Sequence, residues 1–138
     1  TRSRGLGDVY KRQLCKRATT RKAFGKAIAE LGGNYDVIAK CRNEIEMCRL
    51  LTLKAAYMMD TVGNKEAKSE IAQPKVEVPS MAVRVIERAV QIHGGAGVSQ
   101  DTPLASLYSS IRYLRIGDGP DEVHLRTIAK DELSKYLD

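Results

Sequence analysis

Three stretches combine residue types that carry chemistry in other proteins. Gln91-Ile92-His93-Gly94-Gly95-Ala96-Gly97 places three glycines within four positions. Glycine gives up more backbone entropy on folding than any other residue, so clustered glycines imply a local requirement. One such requirement is a helix C-cap followed by a turn; the other is close approach of backbone N–H groups to a phosphate. The two common phosphate loops do not apply. G-x-G-x-x-G opens a helix after a strand, whereas here a helical pattern precedes the glycines, and nothing in the chain matches G-x-x-x-x-G-K-[ST]. Asp118-Gly119-Pro120-Asp121-Glu122 gathers three carboxylates around a Gly-Pro pair, which by itself reads as a helix start, with Asp118 as N-cap and acids in the first turn. Arg21-Lys22-Ala23-Phe24-Gly25 holds a cation that, taken alone, is an exposed charge in a basic stretch. His93 reads as a helix-end or packing residue, Tyr108 and Tyr113 as amphipathic packing residues, and Arg112 and Arg115 as facing solvent or a neighbouring subunit.

Composition narrows the setting for these residues. A chain of 138 residues supports one domain with a core. Trp is absent, Phe occurs once, and β-branched runs are missing, which favours helix. No stretch reaches the ~20 apolar residues of a membrane span. Of the formal charge of +6, half comes from residues 1–13, where Arg2, Arg4, Lys11 and Arg12 stand against Asp8 alone. We treat residues 1–13 as a basic tail outside the domain, foreign or authentic, and the domain as residues 14–138. No basic strip interleaved with aromatics occurs elsewhere, so no nucleic-acid partner is expected. Cys15, Cys41 and Cys48 form no CxxC and have no paired histidines, which points away from a metal or a disulfide framework and towards a reducing compartment. Cys41 and Cys48, seven apart, share a helical face and read as buried apolar residues.

The positioning elements are helices. Ile38, Cys41, Ile45, Cys48, Ala55 and Met59, with Thr52 filling the gap, step by threes and fours along a long helix from Asn34 to Thr61, with Gly63 suited to an αL cap. Ala67, Ile71, Pro74, Val78, Ala82, Val85, Ala89 and Ile92 form a second series; its two prolines predict a kinked helix or two helices in tandem. Asp101-Thr102-Pro103 starts a helix whose stripe is Leu104, Leu107, Ile111 and Leu114. Val123, Leu125, Ile128, Leu133 and Tyr136 carry an apolar pattern nearly to the end. A shorter helical piece spans about Val9 to Thr19, with a loop at 20–33. No strand signal competes, so the expected class is all-α, an antiparallel four-helix bundle.

In that order and on that frame, the RKAFG, QIHGGAG and DGP segments together resemble the C-terminal domain of the acyl-CoA dehydrogenase family, as does the intervening Glu44-Ile45-Glu46…Arg49-Leu50-Leu51…Lys54-Ala55-Ala56. The resemblance covers roughly residues 14–138, and the Asp-Gly-Pro-Asp-Glu run is similar to one branch of the family. It implies a C-terminal helical bundle that, in whole members, follows a helical N-terminal domain and a β-domain. It also implies FAD as cofactor and α,β-desaturation of an acyl-CoA thioester. In that reaction a carboxylate takes the α-proton while the β-hydrogen leaves as hydride to flavin N5. Electrons then pass to an acceptor, usually an electron-transfer flavoprotein.

Residue by residue, the resemblance assigns Asp118 the base, one methylene shorter than the usual Glu, and Gly119 the thioester slot. Arg21 would pair with the FAD pyrophosphate and Phe24 would pack on the cofactor. Gln91, Gly94 and Gly95 would contact the adenosine-pyrophosphate half of a neighbouring subunit's FAD, which implies a homo-oligomer. Glu122 falls where the family often has a Gln near the flavin nucleotide. Gly32 and Gly33 replace a Gln contact of many members, and Pro74 interrupts a helix the family keeps continuous. Without the preceding domains the fragment is expected to be inactive. The compartment would be mitochondrial or peroxisomal matrix in a eukaryote and cytoplasm in a bacterium. The alternative is a non-catalytic oligomerising module that retains only the bundle.

Overall fold

A computed structural model describes residues 5–137. Helix α1 (Leu6–Thr20) runs into a minimal hairpin, β1 (Lys22–Ala23) and β2 (Lys26–Ala27), paired antiparallel with Lys22 opposite Ala27. A 3-10 turn (Ile28–Glu30) leads to α2 (Asn34–Val62) and α3 (Lys68–His93). The short α4 (Gly95–Val98), α5 (Leu104–Tyr113), α6 (Asp121–Leu133) and a closing 3-10 turn (Ser134–Tyr136) follow. The all-α bundle is as expected. Among the described residues no helix is long and apolar enough to cross a membrane.

α3 is the axis, packed against α1, α2, α5 and α6. Met81, Ala82, Val83, Val85, Ile86 and Ala89 are all buried, so its second half is covered nearly all round, the arrangement that all-round apolarity requires. Cys41, Ile45, Cys48 and Ala55 of α2 and Leu104 and Ile111 of α5 close the core, with Leu107 and Leu114 half-buried beside it. Arg88 on α3 makes a two-pronged ion pair with Glu44 on α2, at 2.7 and 3.1 Å, and its guanidinium also donates to Cys41 Sγ.

Several expectations are corrected. Residues 6–13, assigned to a tail, form the first half of α1, whose Tyr10, Leu14 and Ala18 are buried. That stripe was obscured because Lys11, Arg12 and Arg17 flank it and only Leu14 is strongly apolar. Pro74 and Pro79 both sit inside one uninterrupted α3, which excludes two helices in tandem. An interior proline costs about 3 kcal/mol. Each fully buried large apolar side chain on the same helix offsets about 1.5–3 kcal/mol of that cost. Gly63 has φ 83° and ψ 165°, not an αL cap. Met59 is exposed, and Thr102 does not cap α5 but donates to the Ala96 carbonyl at 3.0 Å. In α6, Val123, Leu125 and Leu133 face outward, as does Tyr136 beyond it. The face turned to α3 holds Asp121, His124, Thr127 and Ile128, which share one side at helical spacing.

Gly97 shows why one of the clustered glycines is needed. A Cβ there would lie 2.5 Å from the Val90 carbonyl oxygen, on backbone that has no rotamer to yield. Gly97→Ala should therefore destabilise the fold by ~1–3 kcal/mol, read as a lowered urea midpoint. Burial also pushes the Cys41 and Cys48 thiols above their ordinary range. A raised thiol pKa contributes stability below the unfolded value and loses it as pH rises through the folded one. At pH near 8 both therefore stay protonated, and half-buried Cys15 should be alkylated well ahead of them, as followed by mass spectrometry.

Candidate functional site

The end of α3 and the end of α1 meet at one cleft. α3 stops at Gly94, whose φ of 64° and ψ of −139° suit glycine alone, and whose N–H donates to the Val90 and Gln91 carbonyls. The glycines therefore do cap a helix and make a turn. The same geometry leaves Gln91, Gly94 and Gly95 exposed on the wall of an open cleft of about 400 Å³. Arg21, at the C-cap of α1, and Arg17, one turn earlier, form the facing wall. Among the described residues no carboxylate lines this cleft, so Arg17 and Arg21 stand on its wall with no acid beside them, an arrangement that accepts an anion. His93 also lines it, with Nδ1 2.7 Å from the Ala89 carbonyl oxygen.

Phe24 sits at the tip of the hairpin just outside the cleft. Phe24 and Gly25 have φ of 52° and 77°, the paired positive values of a two-residue hairpin turn. An aromatic residue in that region is strained. Phe24 is also 95% exposed, so no contact within the chain accounts for its type. Strain retained at an exposed aromatic marks a contact surface.

Asp118 lies on the loop joining α5 to α6. It is exposed and has φ 57°, another left-handed non-glycine residue. The loop is held from beneath and from the side. Lys75 of α3 donates Nζ to the Leu114 and Gly117 carbonyls at 3.3 and 3.0 Å. Arg115 Nε donates to Asp121 Oδ2 at 2.7 Å, and the Asp121 N–H returns a bond to the Arg115 carbonyl. The His124 ring lies directly under Gly119, with Nε2 3.0 Å from where a Cβ would stand. α6 begins after Pro120 with no side-chain cap, so Asp118 is not an N-cap. Arg115, expected at solvent or a neighbouring subunit, is instead half-buried in the pair with Asp121.

The structure thus gathers Arg21, Gln91, Gly94 and Gly95, with Phe24 at their margin. It gathers Asp118, Gly119 and Glu122 elsewhere; Glu122 is exposed on the first turn of α6. Sixteen residues of α3 separate Lys75 beneath the Asp118 loop from Gln91, roughly 24 Å at 1.5 Å per residue. Sequence reasoning missed Arg17, although its i, i+4 spacing to Arg21 placed both on one face. It also missed Lys75, Asp121 and His124 as supports of the Asp118 loop. Lys75 acts across 39 and 42 residues, a separation that leaves no local signal. Among the described residues there is no group of three His, Cys, Asp or Glu side chains able to hold a metal ion.

With this geometry in place, residues 5–133 match the family model described as acyl-CoA dehydrogenase, C-terminal domain. The chain is 53% identical over 132 residues to acyl-CoA dehydrogenase family member 11 of Rattus norvegicus, covering 96% of this chain and 17% of that protein. A solved structure assigned to an acyl-CoA dehydrogenase of Mycobacterium abscessus superposes with a TM-score of 0.92 at 48% identity, covering 96% of this chain and 32% of that one. The FAD complex of PigA superposes with a TM-score of 0.85 at 25% identity, covering 91% and 32%. The chain therefore spans from under a fifth to about a third of the length of these relatives.

Phe24 gives a stability test that needs no ligand. Replacing it by Asn, which tolerates the left-handed region, should raise the urea midpoint by an equivalent of ~0.5–1 kcal/mol, because strain is relieved and no packing is lost.

Proposed function

The chain belongs to the acyl-CoA dehydrogenase family, and from that premise we propose that it is the C-terminal bundle of an FAD-dependent enzyme that desaturates an acyl-CoA thioester between Cα and Cβ. Asp118 is the base for the α-proton. The observation that carries this reading is the Asp118 loop: an exposed carboxylate in left-handed backbone on a turn fastened by Lys75 and by the Arg115–Asp121 pair. A carboxylate presented outward on a turn held by several independent contacts is suited to meeting a reacting group in a fixed position.

The cleft residues fit FAD by charge: two guanidinium groups, no carboxylate, and exposed glycine backbone where a diphosphate would lie. Arg21 would hold that diphosphate, with Gln91, Gly94 and Gly95 on the adenosine side, Phe24 against the cofactor's face, and Glu122 near the flavin nucleotide. When bound, FAD supplies the acceptor for the β-hydrogen. The chain's own part is to remove the α-proton at an Asp118 carboxylate oxygen, with Gly119 leaving room for the thioester. As the α C–H bond breaks, its electron pair forms the new double bond while the β-hydrogen departs with the other pair.

Gln91 at the cleft and Lys75 beneath the Asp118 loop lie roughly 24 Å apart along α3, so the cleft and the base of one chain are set at separate places. That supports a homo-oligomer in which each cleft completes a neighbour's site. The exposed apolar side chains of α2 (Met47, Leu50, Leu53 and Tyr57) supply uncovered surface for such contacts. Asp118 is exposed here, so the desolvation that would raise its basicity has to come from the preceding domains and the substrate. An electron-transfer flavoprotein is the acceptor we assign to the reduced cofactor.

The decisive measurement uses a polypeptide carrying this chain behind the two domains that precede it in whole family members. Asp118→Asn should leave flavin content unchanged and lower kcat for desaturation by at least ~10²-fold, the scale of a lost general base. Unchanged turnover with flavin bound would reject Asp118 as base. Assembly without any flavin uptake would favour the non-catalytic module.

A further inference from the structure

Arg17 is a cation with no counter-ion among the described residues. It is half-buried on α1, and its guanidinium takes part in no hydrogen bond or ion pair among the described residues. Its Nε is sealed from solvent without an acceptor. The other half-buried arginines behave differently: Arg88 and Arg84 share Glu44, and Arg115 is paired with Asp121. Arg17 also stands four residues before Arg21, so two like charges share one helix face, an arrangement that is mildly destabilising when nothing bridges them. A desolvated donor without a partner costs more than a hydrogen bond returns. An anion lying between the two arginines removes the like-charge penalty, although the sealed Nε itself is out of its reach.

The surroundings say which side that anion occupies. Arg17 and His93 form the partition between the cleft and an adjoining groove of about 290 Å³ that ends at Thr102 and Pro103. The groove holds one carboxylate, Asp101, beside Lys16 and Arg17. Among the described residues the cleft is lined by no acid. A diphosphate carries more negative charge than one guanidinium neutralises, and planar guanidinium groups bind phosphate oxygens in pairs.

Resting on the reading that the cleft takes the FAD diphosphate, we propose that Arg17 is a second diphosphate-binding residue, closing with Arg21 as a two-guanidinium clamp. Arg21 reaches from the hairpin side and Arg17 from the partition with the groove. Gln91 and the Gly94-Gly95 backbone form the third side.

ADP is the probe, since Arg17, Arg21, Gln91 and the Gly94-Gly95 backbone all line the cleft of this chain. Titration by calorimetry at low salt, alongside nitrogen-15 NMR of the arginine Nε–H groups, compares the chain with Arg17→Gln, Arg17→Lys and Arg21→Gln. We expect ADP to shift the Arg17 Nε–H resonance in the unaltered chain. Arg17→Gln should weaken binding about tenfold or more, Arg17→Lys should recover part of that loss, and circular dichroism should be unchanged. If Arg21→Gln loses ADP while Arg17→Gln binds as before and the Arg17 resonance stays still, Arg17 is no ligand and the cleft reading survives. If the unaltered chain shows no ADP binding at millimolar concentration, the cleft reading falls and the clamp with it. The resonance measurement needs no variant, so it decides the matter even where Arg17→Gln fails to fold.

Discussion

Four helices lie against α3, and that crowding sets the terms for the rest of the molecule. A helix packed on several sides needs a wide apolar face, which Met81, Ala82, Val83, Val85, Ile86 and Ala89 supply, leaving Arg84, Glu87 and Arg88 for its polar side. It also has to keep its length despite two prolines, because a break would separate the faces that α1, α2, α5 and α6 occupy. Two of the charges on α3 are committed to neighbours: Arg88 to Glu44 on α2 and Lys75 to the carbonyls of the α5–α6 loop. Both functional regions are thus set by one rigid rod, the cleft at its end and the carboxylate loop beside its first half.

That arrangement separates the two regions rather than joining them. The chain presents a cationic wall at one place and a carboxylate in left-handed backbone at another, each open to solvent and each lacking an opposite side. The features that look wasteful are a nearly fully exposed phenylalanine on strained backbone, a half-buried arginine unpaired among the described residues, and an apolar stripe on α2. They become economical if other surfaces complete them. In a bundle that is a fraction of its relatives' length, such open edges are where the remaining parts would seat.

Legibility in the sequence followed the strength of the periodic signal. The faces of α2 and α5 were readable because Cys41, Ile45, Cys48 and Ala55, and then Leu104 and Ile111, recur at helical spacing and are buried as that spacing implies. α6 was misread because most of its apolar residues do not face α3; Asp121, His124, Thr127 and, of the expected series, Ile128 alone do. Periodicity reports an apolar stripe but not whether the chain itself or another surface covers it. The start of α1 was missed for the opposite reason, since its buried positions, Tyr10 and Leu14, are sparse among basic residues.

By itself the sequence determined the helical class, the bounds of the long elements and the ordered set of segments that betrays the family, because these depend on neighbours within a few residues. It also determined that the glycines at 94, 95 and 97 answer to some backbone need. Only the tertiary structure decided that this need is both a helix end and an open cleft wall, with Gly97 pressed against the Val90 carbonyl. It alone placed Arg17 beside Arg21 with no counter-ion among the described residues and hung the Asp118 loop from Lys75. Those facts are contacts between residues far apart along the chain, fixed by how helices pack, and no local pattern of residue types encodes them.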